Sequence, residues 1–349
     1  MALTQVQPGM LGTPQPYSFK NRIINGAMVI DQRNAGASVS ASDGAFDVDR
    51  WLMYLSNSTG SKGNMQQNQG SVTPPVGFTN YLGFTTTSAY SVGTLDGYAL
   101  QQRIEGYNMA DLGWGSANAK TITLSFWVYS SLTGTFGGSI ANGGANYSYP
   151  FSYSIPVANT WTQISVTIAG ATSGTWLTTN GIGAFVSFSV GTGTTYSGTA
   201  GAWTGSFKIS ATGATSVVGT SGATFYITGV QLEVGSSATG FEYVNYQTSL
   251  ANCQRYYQQV LSDGTNYAFQ LDQTGASGAL PSITLPLQTS MRTVPSATIV
   301  GTITYLNCTF SAISPKVNGA LFQTSSTGSA RNLAYAGGTG NGYTFSAEL

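Results

Sequence analysis

Apolar and polar residues alternate one by one along much of this chain. In residues 121–130, TITLSFWVYS, the residues Ile122, Leu124, Phe126 and Val128 fall on one side. Thr123, Ser125, Trp127 and Tyr129 fall on the other. A period of two sends successive side chains to opposite faces of a pleated strand, so the segment predicts a half-buried strand. Residues 161–169 repeat the pattern, with Ile164, Val166 and Ile168 against Gln163, Ser165 and Thr167. So do residues 182–190, with Ile182, Val186, Phe188 and Val190 against Ser187 and Ser189. In residues 224–234 the apolar set is Tyr226, Val230, Leu232 and Val234. RIINGAMVI, RWLMYLS and YALQQRIE are shorter candidate strands, and turns such as LTGTFGG, ATSGTWLTTNG and GTGTTYSGTAG separate the set. The expectation is an antiparallel jelly-roll-like sandwich over residues 21–245, one face of each sheet buried.

The period changes once. In QTSLANCQRYYQQV, residues 247–260, Leu250, Cys253, Tyr257 and Val260 fall on one helical stripe, with Ser249 placed to cap it. A short helical connector over 246–260 is expected, serving as a packed helix, a brace between domains or a seam between three chains. Strand patterning then returns in shorter pieces: NYAFQLD, SITLPL, ATIVGTITYL, CTFSAIS, GALFQT and YTFSAEL, punctuated by Pro281, Pro286, Pro295 and Pro315. They predict a smaller β-sandwich over 261–349, small enough that oligomerisation would help bury its apolar surface. The fold class is therefore all-β. At the start, Pro8, Gly9, Gly12, Pro14 and Pro16 make residues 1–20 an extended arm rather than a signal peptide, without a basic region and apolar run. No window approaches a membrane-spanning apolar run.

Charge narrows the function. The 349 residues include no His and only 12 acids and 12 bases; charged residues are 7% of the chain, against about 25% in an ordinary domain. Between Leu112 and Leu232 there is no acid, and the only bases are Lys120 and Lys208. Such a segment supplies no carboxylate pair for glycoside hydrolysis and no histidine for acid–base work. At 41% hydrophobic and 12% aromatic it is not a disordered composition either. A net charge of zero leaves nothing to steer the chain to nucleic acid or to an anionic membrane. Cys253 and Cys308 are too few for a disulfide framework and read as small buried hydrophobes. These features describe a structural or binding protein, not an enzyme.

Several stretches occur in a telling order: NRIINGAMVIDQRNAG (21–36), DVDRW (47–51), QRIEG (102–106), KTITLSFWVYSS (120–131) and NTWTQISVTIAG (159–170). TFYITGVQLEVGSSATGFEY (224–243), LANCQRYYQ (250–258) and MRTVPSATI (291–299) follow. The set resembles tail-fibre and related virion proteins of tailed bacteriophages that carry a jelly roll like a carbohydrate-binding module. The resemblance implies a virion protein, a homotrimeric fibre or spike subunit. Its arm would attach to other virion proteins, and its sandwiches would face a host glycan or protein receptor. It also implies the place of a structural calcium, between the first and last strands of the jelly roll. The matching positions here lie around Asn25, Asp31 and Glu233, of which only Glu233 matches an acid well. The alternative for Glu233 is an ion pair with Arg22 or Arg50. No other cofactor is expected.

Sugar-binding grooves combine aromatic platforms, against which sugar CH groups pack, with amide and hydroxyl partners for the sugar hydroxyls. The glycan-contact candidates are Trp127 and Tyr129, on the polar side of their strand, and the loop residues Trp176 and Trp203. Trp114, Tyr147, Tyr149 and Tyr196 are further loop aromatics. For Trp127 and Tyr129 the competing role is packing against a neighbouring subunit or a loop; for Trp176 and Trp203, flanked by Gly, Thr and Ser, exposure is expected. Asp47 and Asp49, two residues apart, read as a solvated turn beside Arg50. Two functions from other classes remain open: a lectin-like glycan-binding module, and a polysaccharide depolymerase that the carboxylate count disfavours.

Overall fold

The computed structural model describes residues 19–56, 60–328 and 331–349. The attachment arm expected over residues 1–20 lies almost wholly outside them, at residues 1–18. Strands dominate the regular secondary structure of the described residues, with one short α-helix, as the alternation predicts.

Two sheets face each other across the first core. One has six strands in the order Val39–Ser40, Gly63–Gln67, Leu82–Thr86, Thr224–Val234, Ile122–Ser130 and Thr162–Ile168. The other has five, in the order Trp51–Ser56, Gly97–Glu105, Ile182–Thr192, Gly134–Asn142 and Ser148–Ile155. Neighbouring strands in both sheets run antiparallel. The predicted faces meet inside: Ile122, Leu124, Phe126 and Val128 join Leu100, Ile140, Val186 and Phe188 in one buried cluster. Phe126 meets Phe188 edge-on, with ring centroids 4.8 Å apart, a favourable aromatic geometry.

Alternation misplaces one residue of this core. In Thr224–Val234 the pairing with Ile122–Ser130 shifts register between Thr228 and Gln231, where Gly229 takes a left-handed φ of 60°. The bulge adds a residue, so Phe225 and Ile227 share the inner face with Val230 and Leu232. Tyr226, expected on that face, points the other way. RIINGAMVI is also not a strand: residues 24–27 form a turn. Its start still lies along the bulged strand, through Arg22 N to Leu232 O at 3.0 Å and Val230 N to Gly26 O at 2.9 Å. A Cβ on Gly26 would stand 2.1 Å from the Val230 carbonyl oxygen, so only glycine allows this approach.

The five-stranded sheet is largely buried on both faces, with Ser152 and Ser154 of its edge strand exposed. Residues 196–215 fold over its outer side. Ser139 Oγ donates to Lys208 O at 2.6 Å, Ser148 Oγ to Ser206 O at 2.7 Å, and Thr215 N to Thr135 O at 2.7 Å. Phe207 packs on Tyr54 and Phe185 at 5.9 Å. This cover explains outward-pointing Ser139, Ser187 and Gln101 at 0% exposure. It also explains why Gly134–Asn142 lacks a clean polar face that alternation would detect, whereas Ser148–Ile155 alternates and keeps Ser152 and Ser154 exposed.

The helix runs over Tyr246–Gln254, capped by the Asn245 side chain accepting from Thr248 N, not by Ser249. The rest of the expected helical segment becomes the strand Tyr257–Leu261, which pairs with Gly342–Ser346. Three three-stranded antiparallel sheets then surround a second core centred on Phe269, Leu271, Leu285, Phe322, Tyr343 and Phe345. Cys253 and Cys308 are buried and free.

Between the two cores lies a cluster of charges. Glu348 receives Arg50 and, at 2.9 Å, Arg33. Arg255 forks onto Glu105 at 2.9 and 2.6 Å, and Tyr256 Oη donates to the same carboxylate at 2.7 Å. Burial acts to raise the Glu105 pKa, but the hydrogen bonds from Arg255 and Tyr256 outweigh it and hold the group below its ordinary value.

Candidate functional site

The four glycan-contact candidates separate into two clusters. Tyr129 stacks on Tyr226 with centroids 5.3 Å apart and planes 5° apart. Tyr226 in turn stacks on Tyr81 at 5.1 Å, and Trp161 packs against both Tyr81 and Tyr129 at 5.5 Å. The row lies on the outer face of the six-stranded sheet, because the bulge turned Tyr226 outward. Residues 69–80 rim it: Trp161 Nε1 donates to Thr73 O at 2.8 Å, and Tyr81 Oη donates to Gln69 O. Tyr81 and Tyr226 are buried, while Tyr129 and Trp161 are half-buried. Burial pushes the Tyr81 hydroxyl up to about 12. Trp127, also half-buried, is in register with Gln163 on one side and Thr228 on the other.

Trp176 and Trp203 are not the exposed loop aromatics expected. They interlock with Trp114 in a three-indole cluster, with centroids 4.5 to 5.6 Å apart and steep interplanar angles. Tyr147 stacks flat on Trp203 at 5.4 Å, and Tyr149 meets it edge-on at 5.3 Å. Each indole N–H is already used: Trp114 donates to Lys120 O, Trp176 to Ser173 O and Trp203 to Ala169 O. Flexible-looking flanks hide this, since the partners come from segments distant in sequence. Tyr196 likewise serves the cover, as an acceptor for Ser56 Oγ at 2.9 Å.

Each of the calcium positions is engaged by protein hydrogen bonds. Asn25 is a structural clamp, its amide donating to Ile30 O and Asp49 O and accepting from Ile30 N. Asp31 accepts from Asn34 N at 2.9 Å and Gly36 N at 2.6 Å. Glu233 pairs with neither Arg22 nor Arg50; it takes Gln231 Nε2, Thr239 N and Thr239 Oγ1 at 2.7 to 2.8 Å. Arg22 forks instead onto Asp111. Among the described residues no group of three or more His, Cys, Asp or Glu side chains is placed to hold a metal ion.

Asp47 and Asp49 are not solvated. They are 0% and 1% exposed, and neither Asp47 carboxyl oxygen has a hydrogen-bond partner. Burial, with the Asp31 charge nearby, raises Asp47 to about 8. Burial raises Asp49 to about 6, restrained by Arg33 and Gln32. Two inaccessible carboxyls cannot flank a glycosidic bond.

An open concavity lies elsewhere. A cavity of about 640 Å³ forms where residues 19–29, residues 77–79, residues 241–244 and the helix converge, a volume typical of ligand sites. One wall is aromatic. Phe78, Phe241 and Tyr243 contact each other at 5.0 to 5.8 Å, and Phe19 stands at the edge. Phe78 is seated directly against Gly229, where a Cβ would lie 2.6 Å from its ring. The bulge therefore shapes this wall as well. Another wall is polar: Thr248, Ser249 and Asn252 project from one side of the helix. The only carboxylate in the lining is Glu242. It is held by Asn21 N at 2.5 Å and Lys20 N at 3.3 Å. None of the sequence candidates for glycan contact lines this cavity. The signal for it is small: isolated aromatics in VGFTN and TGFEY, two segments brought together only by the fold.

No family model matches the chain, and no curated protein matches it. Among solved structures it is similar to the bacteriophage CBA120 tailspike protein 4 enzymatically active domain. That likeness is at 14% identity and a TM-score of 0.32, over 56% of this chain and 21% of that one. It is also similar to a putative sugar binding protein from Bacteroides thetaiotaomicron, at 12% identity and a TM-score of 0.33, over 62% of this chain and all of that one. A third is the family 11 carbohydrate-binding module of a Clostridium thermocellum cellulosomal cellulase, at 12% identity and a TM-score of 0.27 over 59% of this chain and all of that one. The chain thus spans about a fifth of the tailspike and the full length of the two sugar-binding structures.

Proposed function

We propose that this chain is a structural, non-enzymatic virion protein, a homotrimeric fibre or spike subunit of the tail-fibre kind, that contributes to host-surface recognition by binding glycan. The observation that carries glycan binding is the two-walled cavity. Its aromatic wall, Phe78, Phe241 and Tyr243, suits the CH face of a sugar ring. Its Thr248, Ser249 and Asn252 wall supplies hydroxyl and amide partners that an entirely apolar ligand would leave unused. The virion assignment rests on the ordered motifs of the sequence. In it, residues 1–20 attach the subunit to other virion proteins, and neither nucleic acid nor a membrane is a partner. Among the described residues, no helix is long and apolar enough to cross a membrane.

The same cavity favours a second reading, a lectin-like module that acts without a virion. A depolymerase is disfavoured, since Glu242 is alone in the lining and the Asp47–Asp49 pair is buried. A glycan array with purified chain, followed by titration calorimetry on Tyr243→Ala and Phe78→Ala, tests the binding site. Each variant is expected to bind about tenfold more weakly, the loss of one ring contact; unchanged affinity in both removes the cavity from the function. Deleting residues 1–18 separates the two readings. The virion reading predicts a soluble oligomer that no longer joins particles, and continued decoration counts against it. A reducing-end assay on host polysaccharide should read zero.

A further inference from the structure

Building on the glycan-binding reading of the cavity, we infer that it selects neutral saccharides and excludes those carrying carboxylates, such as uronic or sialic acids. The charge on its walls decides this. Glu242 is the only Asp, Glu, Lys or Arg in the lining. Two main-chain donors, Asn21 N and Lys20 N, fix its carboxylate in place. A saccharide carboxylate entering the cavity would meet that like charge at close range, at a cost that added salt reduces.

Among the described residues lining the cavity, no cation compensates. The two nearest along the chain are both committed away from the cavity. Lys20 Nζ donates to Thr239 Oγ1 at 2.7 Å and Gly240 O at 2.5 Å. Arg22 grips Asp111 through two bonds of 2.8 Å and also donates to Asn108 O at 2.8 Å. Neither can turn to an acidic ligand without breaking these contacts. Specificity built this way is a repulsion added to an attractive surface, which discriminates strongly between ligands of the same shape. The neutral ring keeps what it needs: aromatic faces on one side, and the Thr248, Ser249 and Asn252 side chains on the other.

The experiment uses the full chain and matched pairs of oligosaccharides, each neutral oligosaccharide beside a counterpart with one uronic or sialic acid residue. The neutral member is expected to bind at least tenfold more tightly. Glu242→Gln should narrow that gap. Because this substitution also alters the acceptors for Asn21 N and Lys20 N, a second measurement keeps the unmodified chain: raising ionic strength to about 0.5 M should tighten the acidic member and leave the neutral one unchanged. If acidic saccharides bind as well as neutral ones, and Tyr243→Ala weakens both, the selectivity is wrong while the cavity remains a glycan site. If no saccharide of either kind responds to Tyr243→Ala or Phe78→Ala, the glycan reading falls and the selectivity falls with it.

Discussion

Asp47 departs far from the usual chemistry of a carboxyl. Its carboxyl is buried without a hydrogen-bond partner, and burial followed by the Asp31 charge lifts its pKa from 3.8 to about 8. The folded chain therefore keeps a proton that the unfolded chain has already released. Stability contributed this way is complete below about pH 4 and declines as pH rises through about 8. Asp47→Asn keeps the shape and removes the titration. We expect the variant to melt at a higher temperature than the parent at pH 8 and to lose most of the parent's decline between about pH 5 and 9. Thermal unfolding followed by circular dichroism across that range checks it; parallel curves would refute it. The sequence showed the pair of acids but not their burial. Ile30, Trp51 and the Asn25 clamp close over this loop from positions that no local pattern connects.

At the scale of elements, alternation located strands even where both faces are covered, as in Ile182–Thr192, whose Ser187 and Ser189 are buried. Ile122–Ser130 and Thr162–Ile168 alternate cleanly because their outer faces meet solvent or a loop rim. Gly134–Asn142 was missed because residues 196–215 sit on it, and small residues replace the polar half of the pattern. The bulge hid differently: one glycine inverted the parity of half a strand. That same glycine also positions Phe78. Gly229→Ala should cost about 2 kcal/mol, from a left-handed φ unfavourable to alanine and a collision with the Phe78 ring. It should weaken saccharide binding as well; denaturant melts and calorimetry on one preparation read both. The cover has its own test. Lys208 is the only basic residue within 196–215, and it is tied down through its backbone and its Nζ. Trp203→Ala removes the ring that packs between Tyr147, Tyr149, Trp114 and Trp176. Loss of that packing should destabilise by about 3 kcal/mol and make Lys208 an early trypsin site, visible by mass spectrometry. A Lys208 bond that stays resistant would mean the cover holds without its tryptophan anchor.

At the scale of the whole molecule, a chain with so few charges gathers them where its two cores adjoin. Arg50 is 2% exposed, lies over the Tyr256 ring at 3.6 Å and reaches Glu348, which also takes Arg33. Arg103 donates to Leu349 O, and Arg292 donates to Ala347 O, Glu348 O and Asn180 O. The buried apolar residues fall into two clusters. Alternation did not reveal that the buried arginines of the first half depend on the last residues of the chain, because a pairing across nearly 300 positions leaves no local trace. Removing residues 261–349 would therefore take Glu348 from both Arg33 and Arg50, along with the whole second core. Deleting only residues 348–349 is the sharper experiment. Leaving a buried ion without its partner costs about 3–5 kcal/mol, while both apolar cores stay complete. Scanning calorimetry should resolve the parent's unfolding into two transitions in the truncated chain, the first well below the parent midpoint. The pair of variants Arg50→Met and Glu348→Leu, which replaces both charges at once, should recover much of the lost stability. A single transition at the parent temperature in the truncated chain would show that packing, not this charge cluster, joins the halves.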